Sequence, residues 1–196
     1  IKRFLRYFSK RKEGEGWDYI VFQAKNHPGK VVKILKPIWK QIWSRKLQPY
    51  TFIPFLINNK ERHVHMQKTA YLLGPIIETN GAILGNPRFI GTTYTQDRVI
   101  TMRTYLKTAS LNNARIVFGK FLELQKKCWE LGFADMDFKL SGYGVTKDEK
   151  VILTDLSNLT FNRKAIEQKI HSRKFMKILD ARVMEKELKF LYIDMC

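Results

Sequence analysis

Acidic side chains are scarce in this chain: 18 Asp plus Glu stand against 36 Lys plus Arg, a formal net charge of +18 at pH 7. Such a field repels basic partners and speeds encounter with polyanions such as RNA, DNA or anionic lipid. Cysteine is scarcer still, with only Cys128 and Cys196. Two thiols cannot build a disulfide framework or, on their own, a zinc site. The expectation is a reducing, cytoplasmic setting, with Cys128 a small buried hydrophobe among apolar neighbours. Long apolar runs are missing too. A membrane helix needs roughly 18 uninterrupted apolar residues. The longest candidate, around residues 50–57, contains Pro54 and runs into Asn58-Asn59-Lys60. No transmembrane segment and no signal peptide are expected, and internal repeats and low-complexity tracts are absent.

What is present suffices for a folded protein. An apolar fraction of 44% and an aromatic content of 13% separate the chain from disordered sequences. Its 196 residues can form one full core or two small lobes. The basic excess is uneven. The first twelve residues hold six Lys or Arg and no acid. Residues 163–177 add Arg163, Lys164, Lys169, Arg173, Lys174 and Lys177 against Glu167. If both ends share a face, they form a positive surface suited to nucleic acid or an anionic surface. The plain alternative is the wet faces of terminal helices.

Residues 17–24 and 30–35 are β-branched and aromatic and read as strands, joined through the turn signal Asn26-His27-Pro28-Gly29. Residues 36–57, interrupted by Pro37, Pro49 and Pro54, read as an irregular connection with at most a short helix. Residues 59–73 read as a helix stopped by Gly74-Pro75, followed by a second short helix over 75–84. A hairpin is expected from 88–94 and 98–104 across Thr95-Gln96-Asp97. The clearest helix runs over about 113–131, where Phe118, Phe121, Leu122, Gln125, Cys128 and Trp129 recur at steps of three and four. Gly132 stands where a left-handed cap would. Short strands over 143–146 and 151–154 follow, joined by Lys147-Asp148-Glu149-Lys150, then basic amphipathic helices from Asn162 onward. The layout is α+β, sheet-rich first and helical later.

Four elements carry chemistry. Gly14-Glu15-Gly16 before a strand can bring backbone amides against phosphate oxygens, although a plain glycine turn would look the same. Lys33, inside the apolar run Val31-Val32-Lys33-Ile34, is costly unless its ammonium meets an anion or the solvent face. Asp137 with Lys139 can accept a hydroxyl proton while the lysine neutralises a transferring phosphoryl. Asp155, at the end of the apolar strand 151–154, is a hard oxygen ligand suited to Mg2+.

In this order the elements resemble the protein-kinase-like superfamily over about residues 13–158. The Gly-x-Gly-Trp-Asp start looks more like aminoglycoside phosphotransferases and other small bacterial kinases. Asp137-Phe138-Lys139 is similar to the catalytic-loop Asp-x-Lys, and Asp155-Leu156-Ser157 to the Asp-Phe-Gly metal motif. Their spacing of 18 residues is in the usual range. The resemblance implies a two-lobed fold: a basic leader over 1–12, a β-rich N-lobe over 13–106 and a minimal helical C-lobe over 107–196. It implies ATP and Mg2+ as cofactors, with Gly14, Gly16, Val21 and Lys33 around the nucleotide. Met102 and Thr104 belong to the hinge-like 102–106. Glu78 or Glu61 would pair with Lys33, with Gln67 as a substitute. Asp137 and Lys139 become the catalytic pair, and Asp155 and Asn158 the metal ligands. Lys33, Asp137 and Asp155 are then expected in one interlobe pocket.

The sequence departs from the pattern at Tyr19 (glycine expected), Asp135 (histidine) and Gly142 (the asparagine that holds a second metal). No Ala-Pro-Glu motif is recognisable. The implied function is an ATP-dependent phosphotransferase acting on an undefined small molecule or protein. The competing reading is an inactive kinase-like module that binds RNA, a ribonucleoprotein or a protein through its basic ends.

Overall fold

The structure, a computed structural model, describes residues 8–15, 19–25, 27–36, 52–172 and 186–196. Gly16 and the parts of the basic ends at 1–7 and 173–177 lie outside the described residues. The chain divides into two compact units, residues 1–79 with 86–98, and residues 80–85 with 99–196.

The first unit contains a five-stranded antiparallel sheet and a long helix. Its elements are β1 (Phe8–Glu15), β2 (Tyr19–Ala24), β3 (His27–Leu35), α1 (Phe52–Asn80), β4 (Arg88–Ile90) and β5 (Thr93–Asp97). The strand order is β1-β2-β3-β5-β4. Successive apolar residues of β3 face opposite sides of the sheet, and Val31, Val32 and Leu35, with Ile20 of β2, are all buried. Of the expected leader over 1–12, the structure describes residues 8–12. Residues 8–12 open β1, a strand with no apolar alternation that needs only one neighbouring ladder because it lies at the sheet edge.

Two further expectations change. The helix expected to stop at Gly74-Pro75 continues through Pro75 to Asn80. Proline crowds the Cβ of the preceding residue out of helical geometry, and Gly74 has no Cβ to crowd. The hairpin turns at Gly91-Thr92, between Ile90 and Thr93, and not at Thr95-Gln96-Asp97. Gly91 has φ +62°, the left-handed conformation that a two-residue hairpin turn asks of its first central residue. Gln96, wholly buried, is instead laddered to Val31 inside the sheet.

The second unit begins with a 3-10 turn (Gly81–Leu84) and continues from Val99. It holds β6 (Ile100–Thr101), α2 (Met102–Leu106), α3 (Leu111–Glu130), β7 (Ala134–Asp135), a 3-10 turn (Leu140–Gly142), β8 (Tyr143–Val145), β9 (Val151–Leu153), β10 (Leu159–Thr160), α4 (Arg163–His171) and α5 (Lys186–Met195). Residues 98–104 are therefore not one strand. Thr101 caps α2, its Oγ1 accepting the Thr104 N–H at 3.2 Å. The segment 102–106 expected as a hinge is this helix, inside the second unit.

α3 is capped by Ser110, whose Oγ accepts the Asn113 N–H, and it ends before Gly132 at φ +82°. Its buried stripe is Ala114, Val117, Phe118, Phe121, Leu124 and Cys128. Phe118 packs on Tyr192 of α5 with ring centres 5.0 Å apart, and Phe121 meets Tyr143 of β8 edge-on at 4.8 Å. β6, β8 and β9 form a three-stranded antiparallel sheet, and β7 pairs with β10. Among the described residues no helix is long and apolar enough to cross a membrane.

Candidate active site

The second unit ties the two acid-bearing loops to each other. Asp135 ends β7 opposite Leu159 of β10, and the Met136 N–H donates to Asn158 O at 2.8 Å. At the other end, Thr154 and Asp155 both donate their N–H groups to Gly142 O, at 2.8 and 3.0 Å. Asp137, Lys139, Asp155 and Asn158 thus sit on two adjoining loops held at both ends.

Asp155 is half-buried after the all-apolar β9, and the wholly buried Leu156 anchors the turn behind it. One carboxylate oxygen accepts both the Ser157 N–H at 3.1 Å and the Ser157 hydroxyl at 2.6 Å. Its other oxygen accepts no hydrogen bond among the described residues, which leaves it for a ligand. Asp137 and Lys139 form an ion pair with 40% and 60% of their side chains exposed. Gly142 is buried. A Cβ there would stand 3.5 Å from Asp155 Cβ and 4.0 Å from Asp135 Oδ2. Two of the three departures from the superfamily pattern, Asp135 and Gly142, are therefore neighbours.

Asp135 is a residue whose surroundings the sequence does not disclose. Only 3% exposed, it accepts the Asp137 N–H on Oδ1 at 2.9 Å and the Tyr143 hydroxyl on Oδ2 at 2.7 Å. Its backbone carbonyl accepts the Lys169 ammonium. Burial pushes its carboxyl up to about 7, and the charge of Asp155 adds to that rise. The Tyr143 hydroxyl, the Asp137 amide and Lys169 pull the other way. Burial likewise raises the Tyr143 hydroxyl and the Cys128 thiol, each further raised by Asp135.

This yields a pH prediction. A carboxyl near 7 in the fold, against 3.8 for the free group, holds a proton that stabilises the folded state fully below about 4. That contribution is lost as the pH rises through about 7. Asp135→Asn, neutral at every pH, is expected to be more favourable at pH 8 than at pH 5, by on the order of 2–3 kcal/mol. Urea unfolding at both values checks it; an equal effect at the two would contradict the burial account.

In the first unit the register aligns Gly14, Val21, Lys33 and Tyr94 in one row across β1, β2, β3 and β5. Residues directly opposite in antiparallel strands share a face, so three expected nucleotide contacts lie side by side. The Lys33 ammonium stands 5.6 Å from the centre of the buried Tyr94 ring. Glu61, Gln67 and Glu78 are exposed on α1, and neither glutamate is among the ion pairs of the described residues. Met102 is wholly buried, and the exposed Thr104 has its amide and hydroxyl on Thr101.

Sequence reasoning missed two residues. Tyr143 reads there only as the start of a strand. Lys169 reads as part of a basic surface, but it is 6% exposed. A signal for it exists: Lys169 falls on the stripe Ala165, Ile166, Lys169, Ile170, the inward face of α4. Arg163, also assigned to that surface, is paired with Glu167 at 3.0 Å.

No protein-family model and no curated protein matches the sequence. Solved structures do. The crystal structure of WbdD superposes with TM-score 0.56 at 10% identity, over 95% of this chain and 45% of that one. A co-crystal of WbdD with the kinase inhibitor LY294002 gives 0.53 at 9% identity, over 96% and 46%. The Rv3197–erythromycin complex from Mycobacterium tuberculosis gives 0.52 at 10% identity, over 89% and 54%. The chain spans about half the length of these proteins, and at such identity the likeness is one of fold. The loops tied around Asp137 and Asp155 and the sheet bearing Lys33 agree with it: the chain has a protein-kinase-like fold.

Proposed function

We propose that the protein is an ATP-dependent phosphotransferase, two-lobed in the manner of its superfamily, acting on a hydroxyl of a small molecule or protein. The observation that carries this reading is the cross-tied pair of loops, with Asp137 and Lys139 on one and Asp155 on the other. In this reading Gly14, Gly16 and Val21 cover the nucleotide and Lys33 neutralises its α- and β-phosphates. Met102 and Thr104 lie towards the base. Asp137 orients and deprotonates the acceptor hydroxyl, and Lys139 steadies the phosphoryl as it moves. Catalysis of this kind is almost entirely positioning and charge stabilisation.

The donors fit Mg2+. That ion commonly takes one or two carboxylates and completes its shell with phosphates and water, and Asp155 offers one oxygen without a protein partner. Asn158 has its side-chain amide uncommitted among the described residues. Bound there, Mg2+ would offset the charge of the phosphates. Among the described residues no group of three or more His, Cys, Asp or Glu gathers as a protein-only metal site. Cys128 is a buried free thiol and Cys196 an exposed one, and a cytoplasmic setting is part of this reading.

Gly142 favours a second reading: a module that binds nucleotide without turning it over and engages RNA, a ribonucleoprotein or a protein through its basic ends. One experiment separates them. Under the first reading, ATP with Mg2+ raises the melting temperature and ATP is consumed in the presence of a hydroxyl acceptor. Stabilisation without consumption supports the second, and no effect of ATP on melting would remove both.

A further inference from the structure

Lys169 carries a charge into the interior, where an ammonium is costly unless its protons find acceptors. From α4 it reaches the loop that bears Asp137. Its Nζ donates to Asp135 O at 2.5 Å and stands 4.0 Å from the centre of the Phe138 ring. Those two residues bracket Met136 and Asp137, so one buried cation grips the loop on either side of the candidate base. Further ties hold the same loop. Met136 N–H is held by Asn158 O at 2.8 Å and Asp137 N–H by Asp135 Oδ1 at 2.9 Å.

We propose that Lys169 is a positioning residue, a clamp from α4 that sets the backbone at Asp135 and the ring of Phe138 and thereby aims Asp137 and Lys139. The proposal rests on the reading of Asp137 as the group that faces the acceptor, but the clamp itself is a property of the loop. Two contacts at the ends of a four-residue turn leave the peptides between them little freedom. A surface lysine of a basic helix would instead keep its ammonium in water and would leave the loop unaffected.

The test replaces the ammonium while keeping an unbranched side chain, Lys169→Met, and separately removes the ring, Phe138→Leu. Hydrogen exchange read by mass spectrometry over residues 134–139 is expected to quicken about tenfold or more in Lys169→Met. Peptides from β8 and β9 should be unchanged. Phe138→Leu should act in the same direction, and it carries the test alone if Lys169→Met does not fold. Where the wild type turns over ATP, kcat should fall about 10–100-fold in Lys169→Met, with the affinity for Mg-ATP unchanged. Exchange at 134–139 equal to wild type in the folded variants overturns the clamp. A wild type that consumes no ATP retires the phosphotransferase reading alone, since the exchange result still decides the clamp.

Discussion

Asp155→Ala is expected to abolish the Mg2+-dependent stabilisation that ATP confers, whereas Asp137→Ala should keep that stabilisation and lose turnover. The difference follows from what each carboxylate does in the structure. Asp155 spends one oxygen on Ser157 and presents the other. Gly142, beside it, has no side chain with which to share a cation. Removing Asp155 therefore removes what we propose as the main protein ligand of Mg2+. At a ligand concentration of about 100 Kd, the stabilisation at stake is about 2.7 kcal/mol. Asp137 is paired with Lys139 and part-exposed, so its loss leaves the Asp155 turn intact. Turnover should fall about 10²–10⁴-fold, the usual contribution of a positioned base. Melting curves with ATP and Mg2+, ATP alone and Mg2+ alone, beside a turnover assay, measure both effects. Normal Mg-ATP binding by both variants would show the roles to be misassigned.

Gly144→Ala is the second large effect, and it falls on stability. A Cβ at residue 144 would lie 2.1 Å from Val99 Cγ2 and 3.0 Å from both Val99 Cβ and Thr154 Cγ2. β8 is squeezed at this point between its partners, with Gly144 paired to Thr101 on one side and Ile152 on the other. Valine is stiff about χ1 and cannot simply swing away, so the backbone must shift. Overpacking of this kind costs about 1–3 kcal/mol, occasionally more. The urea midpoint should drop accordingly. Adding Val99→Ala, which removes the nearest atom, should recover part of the loss, a coupling that a double-mutant cycle reads directly. A Gly144→Ala protein as stable as wild type would contradict the close approach of Val99 to β8.

The loops around Asp137 and Asp155 are legible in the sequence for a local reason. A long amphipathic helix closes at Gly132, and an apolar three-residue strand precedes Asp155, so element order alone brackets both acids. The pairing of β2 with β3 follows from the hairpin signal, whereas Gly14 joins the row through β1, a strand whose charged sequence hides it, and irregularities in both pairings adjust the register. Other features depend on tertiary choices that local pattern does not encode. Thr95-Gln96-Asp97 has the composition of a turn, but within residues 88–97 only Gly91 has a positive φ, and the polar trio pairs with Val32, Val31 and Lys30 of β3. Gly74-Pro75 reads as a stop because proline interrupts most helices; a glycine before it relieves the clash. Lys169 is obscured by the basic run around it, although it falls on the inward stripe of Ala165, Ile166 and Ile170. Asp135 looks like a turn residue until β7 and Tyr143 enclose it.

The first strand of the sheet has a bearing on how the protein keeps to itself. Among the described residues β1 is an edge of the sheet, and its pairing with β2 breaks register twice, between Phe8 and Lys12 and again between Lys12 and Gly14. An unbroken, apolar edge is a template on which a second chain can extend the sheet. A kinked one running through Lys10-Arg11-Lys12 offers neither a straight row of amides nor a welcome to another copy of the same charge. The opposite edge, β4, is only three residues long. By physical argument alone, the basic residues of this strand thus disfavour self-stacking, an effect that needs no nucleic acid.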